Sequence, residues 1–551
     1  MKEQHTAHTG VVVQGALLLG LATVTSKLLG TLQKIPLQNI AGDGVFGIYN
    51  TVYPFYILLT VIATAGIPVA VARLVADAEA DHDRTSSYQI AAAGLMMMSI
   101  SGVVGFIAMY LGAGTLAGWI GNMHTEAAIR ASSFAMLILP VLAVLRGYDQ
   151  GRGRMVTTAV SQVIEQTARV IVMIMLLFLL YIYESTEAEM AAGATFGSFA
   201  GALFAFIVLL ITMGRRRWRA VQDIHAVGES SDSNIITSVF NVSGIWLWMK
   251  RLAWTALPIC LGAIVVPMMN VVDTFTLPRL LHSSGWSEME AMEQLGVYSR
   301  AFPLVQLVTM VASSLAVGLV PALVLARRSG DAKQVQALTA AAMKWTWLLA
   351  AASAVGLTAL AAHVNAALYM EDKGTLVFVL VSCTALPGAL QAVCAAMLQG
   401  VGAVVAPALH LLAAALVKVS LNVWLVPTLG LEGAALSALA SLTVAAMLGA
   451  RALARAGGAG PAVWAWGPAR LALALAAMGG AVWLTASAVA HLCGGGRGGA
   501  SAATAIGVLL GAILFGALAV TLRLVRPAEL AALPKVGQRL AALAARLTRV
   551  K

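Results

Sequence analysis

The stretch Gly47-Ile-Tyr-Asn-Thr-Val-Tyr-Pro54-Phe-Tyr-Ile-Leu-Leu-Thr60 has a second copy later in the chain. The segment Gly296-Val-Tyr-Ser-Arg-Ala-Phe-Pro303-Leu-Val-Gln-Leu-Val-Thr309 matches it at the Gly, Tyr, Pro and Thr positions, at an offset of 249 residues. The same offset places Gln150-Gly151 on Gln399-Gly400. Both copies lie in apolar segments, and a membrane protein with two similar halves is typical of transporters that alternate between two access states. The repeat therefore predicts a transporter.

The composition of the chain indicates its class. Of its 551 residues, 60% are hydrophobic and only 11% are charged. Apolar runs close to the length of a membrane crossing recur throughout, and we count about fourteen of them. The sequence thus predicts an all-α polytopic membrane protein with about fourteen transmembrane helices. It has no CxxC spacing and no Walker motif, so neither a zinc site nor direct use of ATP is expected.

The repeat and the apolar runs predict two pseudo-symmetric lobes of six helices each, followed by two further helices. The predicted parts are an N-terminal lobe (1–213), a polar cytoplasmic linker (214–251), a C-terminal lobe (252–455), two extra helices (456–525) and a basic tail (526–551). In the tail, apolar residues recur every three or four positions between lysines and arginines. This spacing predicts an amphipathic helix on the inner membrane surface, with a frayed polar tail as the alternative.

Most of the 35 lysines and arginines fall on one side of the membrane if the N-terminus is cytoplasmic. This asymmetry follows the positive-inside rule. It predicts a multi-pass protein of the bacterial cytoplasmic membrane with both termini in the cytoplasm. The net charge of +11 is then explained by topology and by contact with anionic membrane lipids, so no nucleic-acid partner is expected.

Ionisable side chains inside apolar helices are costly in a bilayer and are therefore candidate functional residues. The helix predicted at 157–182 has the densest polar face, formed by Ser161, Gln162, Glu165, Gln166 and Arg169. At the usual helical rise, Arg169 lies about 18 Å from the cytoplasmic end, near mid-membrane. Two interpretations stay open. Glu165 and Arg169 either form a structural pair that locks helix packing, or line a cavity in which Arg169 binds an anion and Glu165 holds it in place.

Two further cations lie deep in predicted helices. The repeat places Lys418 at the position of Arg169, with Asn422 one turn further along, and Lys27 lies in the first helix. The interior is then net positive, which suits a phosphate-bearing substrate, because arginine binds phosphate with a two-pronged fork and lysine with a point charge. Arg146 lies at the predicted cytoplasmic mouth, where it would collect an anionic headgroup, although an ordinary positive-inside residue would look the same.

The seventh predicted helix offers a candidate site for ion coupling. Asn270 and Asp273 are three residues apart and share a face, where they would bind Na⁺ or take a proton, with Asn422 as a further candidate. A helix-end cap before Pro278 is the alternative. No metal site and no other cofactor is expected.

Several segments resemble the polysaccharide-exporter branch of the MOP flippase superfamily, which includes Firmicute stage V sporulation protein B and MurJ-type lipid II flippases. The resemblance spans about residues 10–450. It is carried by Ser26-Lys-Leu-Leu-Gly30 and above all by Leu145-Arg-Gly-Tyr-Asp-Gln-Gly151 followed by Ala159-Val-Ser-Gln-Val-Ile-Glu-Gln-Thr-Ala-Arg169. Asp149 and Thr157 depart from the family pattern, in which an aromatic residue and a proline are usual.

The resemblance implies a V-shaped (MATE-like) pair of lobes around a cationic cavity, with a hydrophobic groove for a polyprenyl tail. It also implies that an undecaprenyl-diphosphate-linked saccharide is flipped from the inner to the outer leaflet, as lipid II or as a related cell-wall, spore-cortex or polysaccharide precursor. Family cavities have basic residues on helix one and at the end of helix two, which correspond here to Lys27 and Arg73. A two-lobed transporter of this kind is expected to act as a monomer, with membrane lipids around it.

Two other classes of function remain as alternatives. A cation-coupled multidrug exporter of the MATE type would share the fold, but cationic drugs favour an acidic interior. A polytopic glycosyltransferase or polymerase acting on polyprenyl substrates would need catalytic carboxylates in an outside loop. The loop at about 275–296 does carry Glu288, Glu290 and Glu293, although it is also typical of a short surface helix.

Overall fold

A computed structural model describes residues 2–64, 66–227, 242–458, 467–494 and 496–526, together with residues 529 and 538. Within this part of the chain the regular structure is helical and contains no strand. The predicted all-α class is confirmed. The chain divides into two compact units, Met1–Gly296 and Val297–Lys551.

The first unit holds eleven described helices and a short 3₁₀ turn at Met123–Thr125. In chain order they are α1 (Lys2–Leu32), α2 (Lys34–Thr64), α3 (Ile67–Ala80), α4 (Arg84–Leu111), α5 (Ala113–Ile120), α6 (Glu126–Ser133), α7 (Ala135–Gly151), α8 (Met155–Ile182), α9 (Glu187–Val227), α10 (Val242–Ser283) and α11 (Glu288–Ser299), whose last turn passes into the second unit.

The second unit is built from the helices that follow. These are α12 (Phe302–Arg328), α13 (Ala332–Ala359), α14 (Ala361–Tyr369), α15 (Thr375–Cys383), α16 (Ala385–Gly400), α17 (Ala406–Arg455), α18 (Pro468–Leu492) and α19 (Gly496–Thr521). Its core lies between α12, α13, α16 and α17, where small and aliphatic side chains such as Ala312, Val393 and Met397 are fully buried.

Twelve helical segments of the described residues are long and apolar enough to cross a membrane. The two longest segments are Leu18–Ala80 with 63 residues and Ala406–Arg455 with 50 residues, and each exceeds a single crossing. Each spans two of the predicted apolar runs, and each contains a glycine with positive φ between those runs, Gly42 at 80° and Gly430 at 59°. The predicted number of about fourteen is therefore approximate, and the protein is an integral membrane protein.

The helices of the first unit approach closely where glycines remove the side chain between them. In α9, Gly193, Gly197 and Gly201 recur every four residues on the face toward α8. A Cβ atom at Gly197 would lie 2.9 Å from the carbonyl oxygen of Arg169, and one at Gly201 would lie 2.5 Å from that of Glu165. Small residues at this spacing are how membrane helices pack backbone to backbone. The contact falls behind the polar face of α8.

The repeated glycines that open the two sequence copies are also packing positions. A Cβ atom at Gly47 of α2 would lie 1.8 Å from the carbonyl oxygen of Met292, and one at Gly296 of α11 would lie 2.1 Å from that of Asp43. Only glycine fits at either position while α2 and α11 keep this contact.

The helices extend beyond the apolar runs from which they were predicted. The predicted linker (214–251) is helical at both ends, because α9 continues to Val227 and α10 already begins at Val242; its middle, 228–241, lies outside the described residues. Since α10 packs on α2, α3 and α4, the first compact unit reaches further than the predicted N-terminal lobe. The lobe boundaries, which rest on the sequence repeat, stay a prediction.

The predicted amphipathic tail (526–551) lies outside the described residues apart from Arg526, Glu529 and Gln538. Glu529 accepts hydrogen bonds from the ammonium group of Lys344 on both carboxylate oxygens, at 2.8 and 2.7 Å. This ion pair ties the start of the tail to α13.

Candidate functional site

One carboxylate joins two arginines on neighbouring helices of the first unit. Oε2 of Glu165 lies 2.8 Å from Nη1 of Arg146, and Oε1 lies 3.2 Å from Nη2 of Arg169. Arg146 lies near the end of α7, whereas Glu165 and Arg169 are one turn apart on α8. We call Arg146, Glu165 and Arg169 the arginine cluster. It brings together three residues that the sequence singled out.

Each arginine of the cluster has a second anchor besides Glu165. Arg146 donates to the hydroxyl of Ser161 from both Nε and Nη2, at 3.1 and 2.9 Å. Arg169 donates from Nη1 to the hydroxyl of Tyr53, at 3.3 Å, and the Tyr53 ring stacks on that of Tyr49 with centroids 5.4 Å apart. Both guanidinium groups are thus positioned independently of the carboxylate.

The polar network continues from the cluster to α1 and α2. Gln166 donates to Gln33 at 3.2 Å, and Gln33 donates to the Tyr49 hydroxyl at 3.1 Å. The side-chain oxygen of Gln162 accepts a hydrogen bond from the hydroxyl of Thr23 at 3.3 Å, and the backbone carbonyl oxygen of Gln162 accepts one from the hydroxyl of Ser26 at the same distance. Four helices therefore share one polar interior, in which buried amides and hydroxyls satisfy one another.

The cluster carries more positive than negative charge. Two guanidinium groups face one carboxylate, and the side chains of Arg146, Glu165 and Arg169 are only 16, 13 and 8% exposed. Among the described atoms, Nε of Arg169 is buried and has no hydrogen-bond partner. An uncompensated buried charge and an unused buried donor both raise the free energy of the folded state unless an anion arrives. The arrangement therefore suits an anionic ligand.

Both interpretations of the Glu165–Arg169 pair find a physical basis here. The pair exists, and glycine packing of α9 against α8 holds its backbone, as a structural lock requires. However, a one-to-one lock would leave no excess charge, whereas Arg146 adds a second cation from another helix. The contact between Glu165 and Arg169 could be predicted from the sequence, because the two residues are one helical turn apart. The contact between Arg146 and Glu165 could not, because the two residues are on different helices.

Lys27 and Arg73 are exposed and lie outside this network. Lys27 is on α1, beside the buried Ser26, and Arg73 is on α3, which follows the left-handed turn at Gly66. Tyr53, Gln33 and Ser161 complete the polar interior; of these, Tyr53 and Gln33 were not among the predicted site residues. The only sequence signal for Tyr53 and Gln33 is a polar group within an apolar run.

The other candidate cations and ion ligands lie elsewhere. In the second unit, Lys418 and Asn422 are buried one turn apart on α17, at 6 and 0% exposure. On α10, Asn270 is exposed and Asp273 is partly buried. The alternative of a helix-end cap before Pro278 is wrong, because α10 continues through Pro278 to Ser283.

The arginines that follow Arg146 each face a carboxylate within the first unit. Nε of Arg152 lies 3.1 Å from Glu79, and Nη1 of Arg154 lies 3.9 Å from the fully buried Asp149. A third arginine, Arg216 of α9, approaches Asp149 at 3.7 Å. These pairs connect α3, α7 and α9 at the end of the helix bundle.

An apolar cavity of about 540 Å³ lies within the second unit. It is lined mainly by α13, α18 and α19, so two of its walls come from the helices predicted at 456–525. Its lining is aliphatic and aromatic apart from Ser353, and includes Val308, Trp345, Leu348, Met478 and Phe515. A cavity of this size and chemistry suits part of a hydrocarbon chain.

Residues 12–326 match the family described as polysaccharide biosynthesis protein. The chain is 33% identical over 435 residues to the uncharacterized membrane protein YabM of Bacillus subtilis (strain 168), covering 79% of this chain and 78% of that one. It is 26% identical over 443 residues to the lipid II flippase MurJ of the same organism, with 77 and 79% covered. A solved structure of lipid II flippase MurJ in an inward closed conformation superposes with a TM-score of 0.64 at 12% identity, over 92% of this chain and 99% of that one.

These likenesses confirm the resemblance inferred from the motifs. The fold is the one shared by MurJ and by MATE transporters of the MOP superfamily. Among the similar proteins that are named for a function, MurJ is a lipid II flippase and the MATE proteins are multidrug transporters. Because the family match covers more than half of its residues, the chain belongs to the polysaccharide biosynthesis protein family.

Proposed function

We propose that this protein is a flippase for an undecaprenyl-diphosphate-linked saccharide, which it carries from the inner to the outer leaflet by alternating access. The observation that carries the proposal is the arginine cluster, where two buried guanidinium groups share a single carboxylate. A diphosphate is the anionic part of such a substrate, and arginine forks bind phosphate oxygens in pairs. Lipid II, or a related cell-wall or spore-cortex precursor, fits this chemistry.

The second unit supports the same proposal independently. Its cavity of about 540 Å³ is lined almost wholly by apolar side chains, as a site for a polyprenyl tail requires. Burial of hydrocarbon contributes about 0.8 kcal/mol for each CH₂ group, so even a few isoprene units would add substantial affinity. The MurJ relative of Bacillus subtilis is itself a lipid II flippase.

The two alternatives fit the site less well. A multidrug exporter for cationic compounds would be repelled by a cluster with excess positive charge. In the outside loop proposed for a glycosyltransferase, Glu290 accepts from the backbone N–H and hydroxyl of Ser287 at 2.9 and 2.7 Å, and Glu288 accepts from the backbone N–H of Met123 at 2.9 Å. Those carboxylates cap and connect helices.

The remaining features of the proposal rest on the sequence. Cytoplasmic termini follow from the distribution of lysine and arginine. Lys27, Arg73 and Lys418 would add further positive charge along the substrate path, and Asn270, Asp273 and Asn422 would serve ion coupling to Na⁺ or H⁺. We also propose that a single chain is the functional unit.

Rescue of a bacterial strain depleted of its lipid II flippase tests the substrate and the site together. At matched membrane levels, we expect the wild type to restore growth and Arg169→Ala to fail, because the variant loses a cation that binds the diphosphate. Arg130→Ala is the matched control, since Arg130 is half-exposed and lies outside the arginine cluster, with an ion pair to Glu126 one turn away and a contact with the ring of Tyr110.

Two results would count against the proposal in different ways. A well-expressed wild type that does not restore growth would exclude lipid II and leave another lipid-linked saccharide as the substrate. Growth with Arg169→Ala equal to that of the wild type would show that the arginine cluster is not the binding site.

A further inference from the structure

We propose that Glu165 is an internal counter-ion that occupies the diphosphate site between Arg146 and Arg169 until the substrate displaces it. The proposal rests on the proposed function, since it assigns the role of one residue within that site. It makes Glu165 a residue that sets which anions bind, rather than one that only holds Arg169 in place.

The geometry of Glu165 is that of a bridging ligand. Each of its oxygens contacts a different guanidinium, at 2.8 and 3.2 Å, and neither arginine holds it with the paired N–H contacts of a strong arginine–carboxylate fork. A diphosphate offers more acceptor oxygens than a carboxylate. It could replace both contacts and also reach the buried Nε of Arg169, which has no partner among the described atoms.

The arginines remain in position when Glu165 withdraws. Arg146 keeps two hydrogen bonds to Ser161, at 3.1 and 2.9 Å, and Arg169 keeps the one to Tyr53, at 3.3 Å. Glycine packing at Gly197 and Gly201 fixes the α8 backbone beneath both Glu165 and Arg169. The two arginines thus form a preorganised site that the Glu165 carboxylate occupies. Preorganisation lowers the entropic cost of binding a ligand.

The charge balance of the cluster favours displacement of Glu165 by the ligand over binding of the ligand beside it. With Glu165 in place, the cluster carries one net positive charge and would balance a single negative charge. A diphosphate diester carries two negative charges and a diphosphate monoester such as undecaprenyl diphosphate carries at least two, so either ligand matches the two arginines only after the carboxylate has left. Because charge interactions strengthen inside a protein of low dielectric constant, a third negative group at this spacing would be strongly repelled. Glu165 therefore competes with the ligand.

The pair formed by Arg152 and Glu79 provides a matched control. It is also an arginine–carboxylate contact of the first unit, at 3.1 Å, but one carboxylate there faces one arginine. Arg152 also donates to the Tyr148 hydroxyl at 3.0 Å. Removing the charge of Glu79 should leave ligand affinity at the arginine cluster unchanged.

The experiment measures binding of undecaprenyl diphosphate to the purified full-length protein in nanodiscs, for the wild type, Glu165→Gln and Glu79→Gln. We expect Glu165→Gln to bind about tenfold more tightly than the wild type, which corresponds to about 1.4 kcal/mol, because the competing charge is gone. Undecaprenyl monophosphate should gain less than the diphosphate. Glu79→Gln should bind like the wild type.

Thermal stability gives a readout that does not depend on equal folding of the variants. Glu165→Gln loses two ion pairs, so its melting temperature without ligand should fall. Ligand that binds only the folded state stabilises it according to affinity, so undecaprenyl diphosphate should raise the melting temperature of Glu165→Gln by more than that of the wild type.

The outcomes separate this inference from the proposed function. If Glu165→Gln binds the diphosphate no more tightly than the wild type and gains no more thermal stability from it, Glu165 is a structural partner and the inference is wrong. In that case a wild type that binds undecaprenyl diphosphate still supports the flippase. If neither protein binds it, the proposed function fails as well.

Discussion

Asp149 is fully buried, yet its carboxylate oxygens have no hydrogen-bond partner among the described atoms. Its charge is balanced instead at longer range by Arg154 at 3.9 Å and Arg216 at 3.7 Å. Arg216 also donates to the hydroxyl of Thr157 at 2.5 Å. Asp149 and Thr157 are therefore both contacts of one arginine on α9.

At the scale of this residue, we predict that Arg216→Gln lowers the free energy of unfolding by about 1–3 kcal/mol. The fully buried carboxylate of Asp149 then loses one of its two counter-charges, and the loss is reduced because Arg216 is 38% exposed. Thermal melting of the purified protein measures the change. Glu126→Gln, which breaks the exposed pair with Arg130, should change stability by less than about 0.5 kcal/mol. Equal losses in the two variants would contradict this account.

The site residues show what spacing predicts and what it misses. Glu165 and Arg169 could be paired from sequence because residues one helical turn apart are neighbours. Arg146 could not be joined to them, since it is on another helix and its contact depends on how α7 and α8 pack. The same holds for Tyr53, which contacts Arg169 from α2, and for Gln33, which accepts a hydrogen bond from Gln166 at the junction before α2.

At the scale of the element, the glycines of α9 position the polar face of α8. We predict that Gly201→Ala impairs growth rescue and lowers the melting temperature, because its Cβ would lie 2.5 Å from the Glu165 carbonyl oxygen and 2.9 Å from Cβ of Arg169. The two helices would have to separate, which moves both members of the Glu165–Arg169 pair. Gly214→Ala on the same helix is the control, since nothing lies within 4 Å of a Cβ there.

The control variant Gly214→Ala also has an expected direction of change in stability. Alanine is a better helix former than glycine by about 1 kcal/mol, so Gly214→Ala should be neutral or slightly stabilising. Full activity and unchanged stability in Gly201→Ala would show that the α8–α9 contact can relax without cost, and that the glycines do not position the cluster.

Helix positions were largely predictable from apolar runs, but helix ends were not. Hydropathy marks only the part of a helix that suits lipid, whereas α9 continues to Val227 through Arg215-Arg-Arg-Trp-Arg219. Arginine favours a helix in water as well, so the charged segment extends the helix instead of ending it. Gly42 and Gly430, which separate adjoining runs at positive φ, carry no marker that distinguishes them from the other 50 of the chain's 52 glycines.

At the scale of the whole molecule, the sequence predicted the class, the approximate helix number and the family. The class and the helix number follow from composition, because an apolar run of sufficient length indicates a segment that lies in lipid, and the family follows from the motifs that carry the resemblance. The chemistry of the interior needed the structure. The shared carboxylate of the first unit and the apolar cavity of the second depend on contacts between helices distant in sequence.

The most direct test of the central claim is translocation of lipid II in proteoliposomes that contain only the purified full-length protein. We predict that the wild type carries lipid II between leaflets, so that the fraction accessible to a membrane-impermeant enzyme rises with time. The double variant Arg146→Ala, Arg169→Ala should not exceed empty liposomes, while Arg130→Ala should match the wild type. No translocation by the folded wild type would contradict lipid II as the substrate, and undiminished translocation by the double variant would contradict the cationic site.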